Sequence, residues 1–203
     1  MLQKEYIFAL YSLKKHLKMI RRYSYLTMLL VLSMLAIACE KDDPEPPNEE
    51  ELITTVTYQL VADGGATVEM SFVDLDGDGG DAPTIVGGTL AANTIYTGSI
   101  TLLNEIENPT EDITLEVREE DDEHQLFFET NIAGLTVDYR DEDGNGRPLG
   151  LETTVTTGAA GQGTLTVTLR HEPAKDADGV ANGLIANAGG ETDIEVAFPV
   201  NVE

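Results

Sequence analysis

Two acidic runs have the residue types and spacing to hold a cation. Asp74-Leu75-Asp76-Gly77-Asp78-Gly79 and Asp141-Glu142-Asp143-Gly144-Asn145-Gly146 both fit the pattern D-x-[DN]-x-[DN]-G. At this spacing alternate side chains converge on one point, and a glycine in sixth place lets the chain turn sharply round a hard cation wanting about six to eight oxygens. In the second run Glu152 stands in twelfth place, where a bidentate carboxylate completes such a shell. In the first run the twelfth residue is Ile85, so Asp81 or a backbone carbonyl would have to serve. The candidate calcium ligands are therefore Asp74, Asp76, Asp78 and Asp81, and Asp141, Asp143, Asn145 and Glu152. Ca2+ is the one cofactor they suggest, with an extracellular-type affinity of about 10⁻⁴ to 10⁻³ M. Asp-Gly and Asn-Gly steps are equally the material of strand-connecting turns, and the spacing alone does not separate the two readings.

Both runs resemble the first half of the calcium loops of EF-hand and dockerin-like proteins. Neither has the two flanking helices an EF-hand requires, and Pro148 falls inside the second. A further candidate is the run Glu119-Glu120-Asp121-Asp122-Glu123-His124. On a helix, Glu116, Glu120 and His124 would line up at four-residue spacing and offer a carboxylate-imidazole site to zinc or copper. The plainer alternative is a solvated, acidic helix end. The stretch from His171 to Thr192, about twenty residues without a strand pattern, is expected to be a mobile loop or a ligand lid. Catalytic signatures are missing: there is no G-x-S-x-G, no H-E-x-x-H and no glycine-rich phosphate loop leading into a helix. The chain also has no Trp for stacking a sugar.

The elements that must position these residues read as strands. Alternating runs cover Val56 to Leu60, Val68 to Phe72, Ile95 to Leu102, Gln125 to Thr130, Leu135 to Tyr139, Thr153 to Thr156, Leu165 to Leu169 and Ile194 to Phe198. Pro199 argues for an edge or a strand end. With about eight strands and no helical periods lying regularly between them, the expected fold is all-β, an antiparallel β-sandwich, immunoglobulin-like or related, with one short helix. An up-and-down barrel also fits the pattern. The helix is expected after Asn108 as cap, with Pro109 in its first turn and Ile113 and Val117 on one face, the competing reading being one more strand over Ile113 to Val117.

Charge divides the chain. It has 203 residues, 37 Asp plus Glu and 12 Lys plus Arg, for a net charge of -25. Six of the basic residues and only one acid, Glu5, lie in residues 1–38, which leaves -30 from Cys39 onward. An acidic body of this kind repels phosphate backbones, which excludes nucleic acid as a partner. Cys39 is the single cysteine, so no intrachain disulfide exists. The basic residues up to Arg22 and the uncharged run from Tyr23 to Ala38 have the layout of a secretory signal. The run is shorter than the roughly 20 residues of a membrane span. Met19 begins a compact signal by itself, which would make residues 1–18 an upstream artefact.

Leu35-Ala36-Ile37-Ala38-Cys39 resembles the bacterial lipobox, and Glu40-Lys41-Asp42-Asp43 resembles the export signal of Bacteroidota-type surface lipoproteins. These resemblances imply lipidation at Cys39 and an outer-membrane location, on the outer face. The expected organisation is a signal peptide over residues 1–38, a lipidated, acidic, Pro-rich tether over 39–51, and a β-sandwich over 52–203. The leading expectation is a surface-exposed or periplasm-facing lipoprotein that is not an enzyme but a binding or accessory module. Its partners would be the membrane, through the anchor, and an outer-membrane transporter or another protein. The alternative is a metal-ion-binding lipoprotein (Ca, or Zn and Cu) for capture or uptake, and a hydrolase is the weaker third reading.

Overall fold

The computed structural model describes residues 51–77 and 80–203. Residues 1–50, with Cys39, the signal-like run and nearly all of the tether, lie outside the described residues, as does Asp78. The alternating runs form ten strands: β1(Thr55–Ala62), β2(Thr67–Val73), β3(Thr84–Val86), β4(Gly88–Leu90), β5(Ile95–Leu103), β6(His124–Thr130), β7(Thr136–Tyr139), β8(Glu152–Thr156), β9(Gly161–His171) and β10(Glu191–Val202). They make two sheets, in the orders β3-β2-β1-β5-β8-β7 and β4-β10-β9-β6. The fold is an all-β sandwich. All pairings are antiparallel except that of β4 with β10. The two strands beyond the expected eight, β3 and β4, are three residues each, too short to show a period of two.

The period of two decides which residues meet between the sheets. Along β5, Tyr96, Ile100 and Leu102 are buried while Ile95, Thr97, Ser99 and Thr101 are exposed, and along β10 Val196, Phe198, Val200 and Val202 are buried while their neighbours are exposed. Tyr58 of β1 is fully buried, and its hydroxyl meets Thr153 Oγ1 of β8 at 2.7 Å. Gly98 sits over this pair because a Cβ there would lie 2.3 Å from Thr153 Oγ1 and 2.8 Å from the Tyr58 ring. Pro199 is not at a strand end. It lies inside β10, but β4 pairs only with Val200 to Val202, so at Pro199 that side of the strand has no ladder partner to lose.

The helix, α1(Ile113–Glu119), starts later than expected. Its cap is Asp112, whose side chain accepts from Thr114 N at 3.1 Å, while Asn108 and Pro109 belong to the preceding turn. Ile113 and Val117 enter the core, and Thr114 Oγ1 both donates to Leu102 O and accepts from Leu102 N, fixing the helix to β5. The unpatterned stretch after β9 is ordered by two 3-10 turns, Val180–Asn182 and Ile185–Asn187. Val180 and Ala188 pack on Phe127 as a second small core. Among the described residues, no helix is long and apolar enough to cross a membrane.

Candidate metal centre

Strand register assembles a site from three residues far apart in sequence. His124 opens β6 and His171 ends β9, and the two are direct cross-strand partners. Residues paired in this way present their side chains on one face of the sheet. On the other side of β9, Arg170 pairs with Thr192 and Leu169 with Ile194, so Asp193 is the extra residue of a β-bulge. A bulge re-aims the side chain it carries, and here it brings Asp193 to the two imidazoles. The rings stack edge to face with centroids 4.5 Å apart. Asp193 straddles them, Oδ2 lying 4.0 Å from His124 Nε2 and Oδ1 lying 3.7 Å from His171 Nδ1. The side chains of His124, His171 and Asp193 are 0%, 4% and 0% exposed.

Hydrogen bonding sets the electronic state of the first ring. His124 Nδ1 lies 3.1 Å from the Glu120 carbonyl oxygen. A carbonyl only accepts, so Nδ1 carries the proton and Nε2 of the neutral ring presents its lone pair to Asp193. Burial, assisted by the charges of His171 and Lys175, holds the His124 pKa below its ordinary value, against the opposing pull of the Glu120 carbonyl. The ring is therefore neutral at physiological pH, and a lone pair faces a carboxylate across 4.0 Å in a buried setting. A cation between them would meet a donor atom on each side. Two ligands on a tetrahedral zinc, at about 2.0–2.1 Å each, stand roughly 3.3 Å apart, while ligand atoms of His124, His171 and Asp193 lie within 4.8 Å of one another, so the three side chains would have to draw together to share an ion. The Nδ1–H···O=C bond is also the outer-shell contact that fixes the tautomer of a ligating histidine.

Carboxylates flank the pair on both sides. Ligand atoms of Glu51, Glu120 and His124 lie within 4.8 Å of one another, and so do those of Glu123, His171 and Glu172. The expected helical line of Glu116, Glu120 and His124 does not form. The helix stops at Glu119, Glu120 is its C-cap, and His124 already belongs to a strand. Glu120 still comes close to His124, whereas Glu116 instead bonds Glu51. Partial burial, then the hydrogen bond and charge of Glu51 and the charge of Glu111, push the Glu116 carboxyl up to about 7. This pairing holds fully below the ordinary carboxyl range and is lost as pH rises through about 7.

The two aspartate runs serve as turns. Asp141 accepts from Gly150 N at 2.8 Å and from Glu152 N at 3.1 Å. Asp143 Oδ1 accepts from Asn145 N and Arg147 N, both at 2.8 Å, and its Oδ2 meets Lys175 Nζ at 3.1 Å. Glu152 lies in β8 with its carboxylate 3.7 Å from Arg118. The Lys175 ammonium thus neutralises Asp143 from the side opposite the turn's backbone N–H groups. In the first run, Asp74 accepts from Gly77 N at 2.9 Å and Asp76 from Asp81 N at 2.9 Å, with Gly77 at φ 68 making the turn. Among the described residues, neither run supplies a convergent group of three His, Cys, Asp or Glu side chains.

A groove of about 760 Å³ passes along Asp193, between Glu51, Asp74, Asp76 and Glu195 and the apolar Leu52, Phe72, Leu75 and Ile106. It brings acidic side chains up to Asp193. Neither His171 nor Asp193 is near His124 along the chain, so spacing does not reveal them, and only register and the bulge unite the three. The lasting sequence signal was that His124 and His171 each stand at the end of a strand-like run. Fold and centre together define an all-β sandwich carrying a two-histidine, one-carboxylate cluster. The chain matches no protein-family model, no curated protein and no solved structure.

Proposed function

We propose that the protein is a lipid-anchored, non-enzymatic module of the outer-membrane surface that captures a divalent transition-metal ion at His124 Nε2, His171 Nδ1 and Asp193. The carrying observation is the neutral, buried His124 lone pair turned on Asp193, with a second imidazole on the other side of the same carboxylate. Two imidazoles and one carboxylate suit ions of the zinc and copper type over calcium, which takes oxygen ligands. The charge of -30 from Cys39 onward raises the local cation concentration and speeds encounter. Rings so deeply buried leave no room for a substrate beside the ion, which favours capture over hydrolysis. An outer-membrane transporter would be the natural recipient.

Zinc added to the full chain in detergent is expected to raise its melting temperature reversibly, with chelator restoring the original value. An equal rise with calcium and none with zinc would move the ion to the aspartate runs. For the anchor, Cys39→Ala should lose the mass of the lipid and shift from the membrane to the soluble fraction. Unchanged mass and unchanged partitioning would remove lipidation from the proposal.

A further inference from the structure

We propose that His171 bridges two metal ions, its Nδ1 joining the inner centre and its Nε2 forming an outer site with the carboxylates of Glu123 and Glu172. This rests on the reading of His124, His171 and Asp193 as the inner centre.

Both nitrogens of His171 are buried and neither has a hydrogen-bond partner. His124 differs, since the Glu120 carbonyl fixes one of its nitrogens. A neutral imidazole has one donor and one acceptor nitrogen, and buried ring nitrogens ordinarily find partners. The His171 ring instead points each nitrogen at a carboxylate: Nδ1 at Asp193 Oδ1, 3.7 Å away, and Nε2 at Glu123 Oε2, 3.9 Å away. Ligand atoms of Glu123, His171 and Glu172 all lie within 4.8 Å of one another. The backbone holds the two glutamates together, Glu172 N donating to Glu123 O at 2.6 Å. Glu172 also adopts φ 49, a left-handed conformation uncommon for a residue other than glycine. A chain that turns this way directly after His171 keeps the Glu172 carboxylate beside the ring.

The two sites differ in chemistry. The inner one offers two nitrogens and a carboxylate in a mostly buried setting, while the outer one offers one nitrogen and two carboxylates of exposed residues. The outer ion is therefore held more weakly and exchanges faster. Ions on opposite nitrogens of one ring stand roughly 6 Å apart, given metal–nitrogen bonds of about 2.0 Å. When both sites fill, the ring releases its single N–H proton to water and becomes an imidazolate between two dications.

The test is a copper(II) titration of the full chain, read by metal content after dialysis and by electron paramagnetic resonance. Two ions per chain are expected, with a spin-coupled spectrum at full loading. The double variant Glu123→Gln/Glu172→Gln should take one ion and give an uncoupled mononuclear spectrum. One ion in the parent chain, or two without coupling, would overturn the bridge while leaving the inner centre standing. No bound ion at all would overturn both.

Discussion

Replacing His171 by Leu should abolish the stabilisation that zinc confers, and leave the metal-free protein folded. At free zinc about 100 times the dissociation constant, binding to the folded state alone contributes about 2.7 kcal/mol, or about 5–10 °C in melting temperature for a domain of this size. His171 supplies a nitrogen to the inner centre, and even the loss of an outer-shell partner typically costs 10- to about 100-fold in metal affinity. The loss of a ligand should exceed that. The metal-free protein gives up no hydrogen bond, because neither buried ring nitrogen has a hydrogen-bond partner, and loses only the packing against His124 and the 3.7 Å approach to Asp193. Melting curves of the parent and His171→Leu chains, with zinc and then with chelator, check both halves. A zinc shift of equal size in the variant would place the ion elsewhere.

Lys175→Met should have the largest effect on stability itself. The Lys175 side chain is 5% exposed and that of Asp143 is 0% exposed, and the ammonium also donates to the Asp121 carbonyl. Removing one partner leaves the other charge buried, which costs about 3–5 kcal/mol. Exchanging both partners, as Lys175→Met/Asp143→Asn, should recover part of the loss, since an amide oxygen can still accept from Asn145 N and Arg147 N. The pH dependence has a definite sign. Burial works to raise the Asp143 pKa, but the Arg147 N–H, the Lys175 ammonium and the Asn145 N–H outweigh it and hold the carboxyl below its ordinary value. Its contribution is therefore fully present above the unfolded value of about 3.9 and is lost as pH falls through the lower folded value. Urea unfolding at pH 7 and at pH 3 measures both effects. A Lys175→Met chain within about 1 kcal/mol of the parent would show that the pair is not load-sharing.

Most of the sandwich was legible because its strands alternate. The runs at Val56 to Leu60 and Ile194 to Phe198 state their buried face outright, and the Asp-Gly steps at Gly77 and Gly144 mark turns between them. The helix was legible in its apolar spacing but not in its start, because Asn108-Pro109 and Asp112 are competing caps and only the docking of Thr114 on Leu102 decides between them. The candidate centre was legible in one residue of three. His124 stood out as an imidazole in an acidic run, but its partners depend on long-range pairing. The His124–His171 register joins residues 47 apart, and Asp193 reaches them through a bulge that no alternation pattern records. In the second aspartate run, Lys175 reaches Asp143 from a segment with no pattern of its own, a contact no local spacing reveals.

The most direct test is anomalous diffraction from crystals of the protein grown or soaked with zinc. A peak is expected at about 2.0–2.2 Å from His124 Nε2, His171 Nδ1 and a carboxylate oxygen of Asp193. A zinc-soaked crystal with no peak between these three side chains, or with peaks confined to the Asp74 and Asp141 runs, would contradict it.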